Sequence, residues 1–103
     1  MVVEYVRYAV SSGRTAEFLS AYDAAAEELR ASPHCIAFEV AQGIEEPEHF
    51  IVRIEWDSVS GHEDGFRKEP GFATFFSKVK PFFQCIEEMK HYEIQQSGRG
   101  NAR

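Results

Sequence analysis

The chain has 103 residues, enough for one domain and too few for a large enclosed active site. Hydrophobic residues at 44% and aromatics at 14% exclude a disordered chain, while a net charge of −6 argues against nucleic acid or an anionic membrane surface as partner. No apolar run approaches the roughly 20 residues of a membrane span, and the opening MVVEYVRYAV lacks the basic stretch of a signal peptide, so a cytoplasmic location is expected.

Residues 2–10 are rich in Val and Tyr and read as a strand buried on both faces. Ser11-Ser12-Gly13 forms a turn, and Thr15 is a fair N-cap for a helix over Ala16–Ala31. Phe18, Tyr22, Ala25, Ala26 and Leu29 fall on one stripe of that helix, and its alanines let it lie close to a sheet. Ser32-Pro33 stops it. HCIAFEVAQ (34–42) is a second strand, Gly43–Glu48 a hairpin loop, and His49–Trp56 a third strand. A helix carrying His62 and Phe66 then begins, capped by Ser58 or by Ser60 with Glu63 as a capping box. Lys68–Gly71 interrupts it, Phe72–Lys80 is helical again, and Ile86–Ile94 is a fourth strand. Residues 1–95 are thus the domain and 96–103 a flexible polar tail.

The order β-α-β-β-α-β predicts an α+β fold, the ferredoxin-like pattern with a four-stranded antiparallel sheet covered on one face by helices. The first strand shows apolar residues on both sides, Val3, Tyr5 and Ala9 against Val2, Val6, Tyr8 and Val10. A second layer is needed, and another copy of the same sheet supplies it, so a homodimer is expected. In the strand order 4-1-3-2 of this fold, Cys35 and Cys85 begin strands on opposite edges, and free thiols are expected.

Seven of the nine phenylalanines and the only tryptophan lie between Phe50 and Phe83, a concentration that suggests a lined cavity. The strand ending in Glu55-Trp56, His62 six places on, and the run Phe66, Pro70, Phe72, Phe75 resemble the antibiotic biosynthesis monooxygenase-like domains. The opening strand, Gly13 and Phe18, and the closing Met89 and His91-Tyr92-Glu93 are similar too, so the resemblance covers residues 2–94. It implies a dimeric α+β barrel and activities that include cofactor-independent oxygenation of polycyclic phenols, quinol oxygenation, haem degradation and isomerisation. Haem-degrading members place a histidine about nine or ten positions after the tryptophan, where this chain has Gly65 and Phe66, and an asparagine in the first strand, which has none. Haem degradation is disfavoured.

Cofactor-free oxygenation needs a dry aromatic pocket, a group that takes the phenolic proton, and donors for the developing oxyanion. His62 is the best proton acceptor by residue type, and an early position in its helix favours the neutral base. Trp56 reads as a core anchor whose indole N–H can also donate to an oxygen. Tyr22 sits in the first helix's apolar stripe, where its hydroxyl needs a partner, a ligand being one choice. The expected catalytic set is His62, Trp56 and Tyr22, with Phe38, Phe50 and Phe66 completing the pocket. Arg53, on the opposite strand face, suits an interfacial ion pair with Glu39 or Glu88. His34, His49 and His91 show no local metal spacing, though His49 and His91 could meet across strands, so neither metal nor cofactor is expected. No phosphate loop or nucleophile elbow occurs.

These features predict a cofactor-independent monooxygenase-like enzyme for a small aromatic phenol or quinol. A non-catalytic dimer that binds a small hydrophobic molecule is the rival, and a module without a pocket a third reading. A titratable group facing the cavity favours the enzyme.

Overall fold

The computed structural model describes residues 1–102; Arg103, the end of the expected tail, lies outside the described residues. Strands β1 (Val2–Ala9), β2 (Cys35–Gln42), β3 (His49–Trp56) and β4 (Ile86–Glu93) form one antiparallel sheet in the order β2-β3-β1-β4. Helices α1 (Thr15–Ala31) and α2 (Pro70–Val79) pack against each other on one side of it. This is the ferredoxin-like α+β arrangement that the element order predicts. Cys35, the first residue of β2, and Cys85, the residue just before β4, are free, and those two strands lie at opposite edges.

Alternation along the two central strands builds the core. Val6, Tyr8 and Val10 from the β1 side meet Phe50, Val52, Ile54 and Trp56 of β3, all buried. The α1 stripe Phe18, Tyr22, Ala25, Ala26 and Leu29 is buried as its spacing predicts. Phe18 packs against Tyr8, Phe50 and Phe82 with ring centroids 4.6–5.2 Å apart.

Local chemistry corrects several helix ends. A 3-10 turn, Ser12–Arg14, precedes α1, and the Thr15 hydroxyl donates to the Ser12 carbonyl instead of capping. The expected capping box of Ser60 and Glu63 does not form: the Ser58 hydroxyl accepts from the Gly61 N–H at 2.8 Å, and the Ser60 hydroxyl donates to Asp64. Beyond it the chain runs through a π-helical turn at Gly61–Gly65 and a 3-10 turn at Phe66–Lys68 before α2. A further 3-10 segment, Lys80–Cys85, leads into β4.

The second face of the sheet differs from the apolar surface that the β1 residues suggest. Arg7 and Glu88 approach to 3.5 Å, and Arg53 reaches Glu55 at 2.9 Å and Glu39 at 3.6 Å, all within one chain. Val3 is 2% exposed on this side, where the segment Ile94–Ser97 folds over the sheet end and the Ile94 N–H donates to the Met1 carbonyl.

Candidate functional site

Antiparallel pairing sets the first part of the site. Glu4 stands in register between Ile54 of β3 and His91 of β4, on the face that carries Val6 and Tyr8. It is 4% exposed, a carboxyl in the apolar interior. Its Oε1 accepts the Trp56 indole N–H at 3.1 Å, so the donor expected for a substrate oxygen is engaged by a protein carboxylate. Burial raises the Glu4 pKa above the ordinary carboxylate value, opposed by the Trp56 hydrogen bond and by the nearby His91 and Arg67.

The π-helical turn sets the second part. Where β3 ends, the Asp57 N–H donates to the His34 carbonyl and the Asp57 carboxylate lies 2.9 Å from His34 Nδ1. A Cβ on Gly61 would collide with the Asp57 carboxylate, and one on Gly65 with the His34 ring, so a side chain at either position would displace the His34–Asp57 pair that lies against the turn. The chain wound this way stacks the His62 ring on Trp56, with centroids 4.4 Å apart and planes 10° from parallel. His62 Nδ1 is 2.7 Å from His91 Nε2, and its Nε2 is 3.7 Å from Glu4 Oε1. At 5% exposure the imidazole is largely desolvated, and burial, Arg67 and His91 together lower its pKa to about 4. His62 is therefore neutral near physiological pH, and its contact with Glu4 is not an ion pair. π-Turns inside helices recur at functional sites, since one extra residue re-aims a side chain.

Glu4, Trp56 and His62 form one wall of a cavity of about 430 Å³. Val6, Ile54, Ile86 and Met89 are its floor, and Phe66, Phe72, Phe75, Phe76, Val79 and Phe83 its other walls. The cavity explains why α2, apolar as it is, has no fully buried residue: its phenylalanines face a space instead of the sheet. Tyr8 and Tyr22, whose hydroxyls hydrogen-bond each other, also reach the cavity. Burial pushes the Tyr8 pKa up to about 12 and that of Tyr22 well above its ordinary value.

Of the residues that the sequence nominates, His62, Trp56, Tyr22 and Phe66 line this cavity. Phe50 lies instead in the core against Phe18, and Phe38, partly buried, sits under the Arg30 guanidinium. Neither lines the cavity. His49 pairs with Ala9 at the far end of β1 and does not meet His91, whose neighbours are Glu4 and His62. Sequence reasoning missed Glu4, His91 and Arg67 as members of this site. Glu4 left a trace, a charge among Val2, Val6, Tyr8 and Val10 on one side of a strand; sequence reasoning offers His91 only as a partner of His49, and strand register brings it to Glu4 instead.

Residues 1–78 match the family model described as antibiotic biosynthesis monooxygenase. The uncharacterised protein YczJ of Bacillus subtilis (strain 168) is 22% identical over 93 residues, 90% of this chain and 98% of that protein. Among solved structures, a Bordetella bronchiseptica protein named for the same family superposes with a TM-score of 0.74, at 22% identity, over 92% of this chain and 97% of that one. A mutant form of SnoaB, a cofactor-independent oxygenase from Streptomyces nogalater, superposes with a TM-score of 0.73, at 17% identity, over 93% and 94% of the two chains. A buried carboxyl, a neutral imidazole and an aromatic cavity thus stand on a fold shared with these proteins, and the chain belongs to the antibiotic biosynthesis monooxygenase family.

Proposed function

We propose that the protein is a cofactor-independent monooxygenase-like enzyme that oxidises a small aromatic phenol or quinol and works as a homodimer. One observation carries this reading: His62, held neutral, is a proton acceptor beside the buried Glu4 carboxyl in the wall of a mostly aromatic and aliphatic cavity. A binder of hydrophobic molecules has no use for an acid–base group there. The SnoaB likeness supports the same reaction class.

The chemistry asked of the protein is limited. With its own proton on Nδ1, donated to His91 Nε2, His62 keeps Nε2 as acceptor for the substrate hydroxyl. An imidazole of such low basicity does not hold that proton, and Glu4, with its raised pKa, is the better store 3.7 Å away. The phenolate passes one electron to O2, and the radical pair combines to form a carbon–oxygen bond para to the original oxygen. The hydroperoxide then loses the carbon-bound hydrogen as a proton, the O–O bond breaks, and water leaves. One oxygen atom ends in the quinone and the other in water, so phenol and O2 balance with quinone and water without an added reductant. The apolar walls exclude bulk water from the intermediate.

An aerobic screen of phenols and quinols with an oxygen electrode tests this. Oxygen uptake should depend on the protein, and His62→Ala should lower turnover by roughly a hundredfold or more, the scale of a lost general base. Parental turnover in His62→Ala would remove His62 from the mechanism and pass its role to Glu4 or Tyr22.

A further inference from the structure

Glu4, His62 and His91 come from β1, the π-helical turn and β4, and each offers one ligand atom, all within 4.8 Å of one another. Two imidazoles and one carboxylate, with other positions left open, suit divalent first-row ions such as Fe2+, Co2+ and Zn2+. We propose that Glu4, His62 and His91 form a binding site for one divalent transition-metal ion, and that its occupation blocks His62 as a base.

The geometry is close to what an ion requires. Ligand bonds of about 2.1 Å place neighbouring ligand atoms about 3–3.5 Å apart. The 3.7 Å between His62 Nε2 and Glu4 Oε1 is within a few tenths of an ångström of that spacing. His91 Nε2 lies 2.7 Å from the other nitrogen of His62, so sharing an ion breaks this hydrogen bond and turns the His91 imidazole toward the Glu4 side, the three ligand atoms already lying within 4.8 Å of one another. The indole N–H of Trp56 donates to the same Glu4 oxygen, Oε1, that faces His62, so it fixes the carboxylate and leaves that oxygen's second lone pair for an ion. The cavity lies in front of Glu4 and His62 and leaves space for water on the ion. Arg67 at the cavity rim works against a cation, but it occupies none of the three ligand atoms.

Metal binding does not depend on the oxygenase reading, whereas the inhibition does, because it takes the His62 lone pair that the reaction uses. Calorimetric titration of the full chain with Zn2+, and the visible absorption of added Co2+, measure binding without any substrate. One ion per chain is expected. Its affinity should fall at least tenfold in His91→Gln and in Glu4→Gln, with the fold checked by circular dichroism, and stay unchanged in His49→Gln, an exposed histidine outside the site. Should Glu4→Gln fail to fold, His91→Gln on the edge strand decides alone. Absence of binding at ~1 mM Zn2+, or an affinity unchanged by His91→Gln, overturns the proposal and leaves the oxygenase reading standing.

Discussion

Protonating His62 would place a charge in a desolvated pocket beside Arg67, which is why its pKa falls from 6.5 to about 4. Between those values the unfolded chain binds more protons than the folded one. The stability that neutral His62 contributes is complete above about pH 6.5 and is lost as pH falls through about 4, a change on the order of 3 kcal/mol. Glu4 acts in the opposite sense, since a raised folded pKa contributes stability at low pH that is lost as pH rises through it. Urea midpoints measured near neutrality and near pH 4 should therefore fall less on acidification in His62→Gln than in the parent; equal falls would show that burial does not set the protonation of His62. The tyrosine pair offers a second measurement. Tyr8→Phe strands the buried Tyr22 hydroxyl and should cost about 1–2 kcal/mol, whereas changing both tyrosines to Phe should cost less than the sum of the single changes. Additive losses in urea unfolding would argue that the two hydroxyls do not depend on each other.

At the scale of the element, the π-helical turn decides where the histidine points. It is held from outside by Asp57, His34 and Ser58, and from inside by the stack of His62 on Trp56. Gly61→Ala drives a methyl into the Asp57 carboxylate and should lower stability by about 1–3 kcal/mol, while disturbing the His62–Trp56 stack. Gly13→Ala, with nothing near its added methyl, is the control. Thermal unfolding and Trp56 fluorescence follow both effects, and a Gly61→Ala protein indistinguishable from the Gly13→Ala control would contradict the packing argument. Helix α2 is governed by different physics: its phenylalanines Phe72, Phe75 and Phe76 wall a cavity, so their size sets the shape of the ligand space more than the stability of the fold.

For the whole molecule, one sheet face is covered by helices and the other is open, with Tyr92 42% exposed. That open face carries two separate ion pairs, Arg7 with Glu88 and Arg53 with Glu55, so an interface built on it buries charged pairs as well as apolar side chains. A homodimer is expected at micromolar concentration, with a buried interface above roughly 1,200 Å² in total. Light scattering measures it, and a monomeric mass there would sink the proposed assembly. Because Arg53 pairs inside its own chain with Glu39 and Glu55, high salt should weaken such a dimer only modestly.

Local composition and alternation placed the four strands and the buried stripe of α1, and the β-α-β-β-α-β order, with its short connections, then pointed to the ferredoxin-like sheet order. Residue type, the family resemblance and the α1 stripe nominated His62, Trp56, Tyr22 and Phe66, all of which line the cavity. The same reasoning put Phe38 and Phe50 in the pocket because an aromatic on a buried face looks the same whether it meets a cavity or another ring. Tertiary structure decided the rest. Strand register set Glu4 beside His91, glycines at 61 and 65 let the π-helical turn carry His62 to both, and burial then raised the Glu4 pKa and lowered that of His62. Contacts between residues as far apart as Glu4 and His91 depend on strand pairing, and no local pattern in the chain records them.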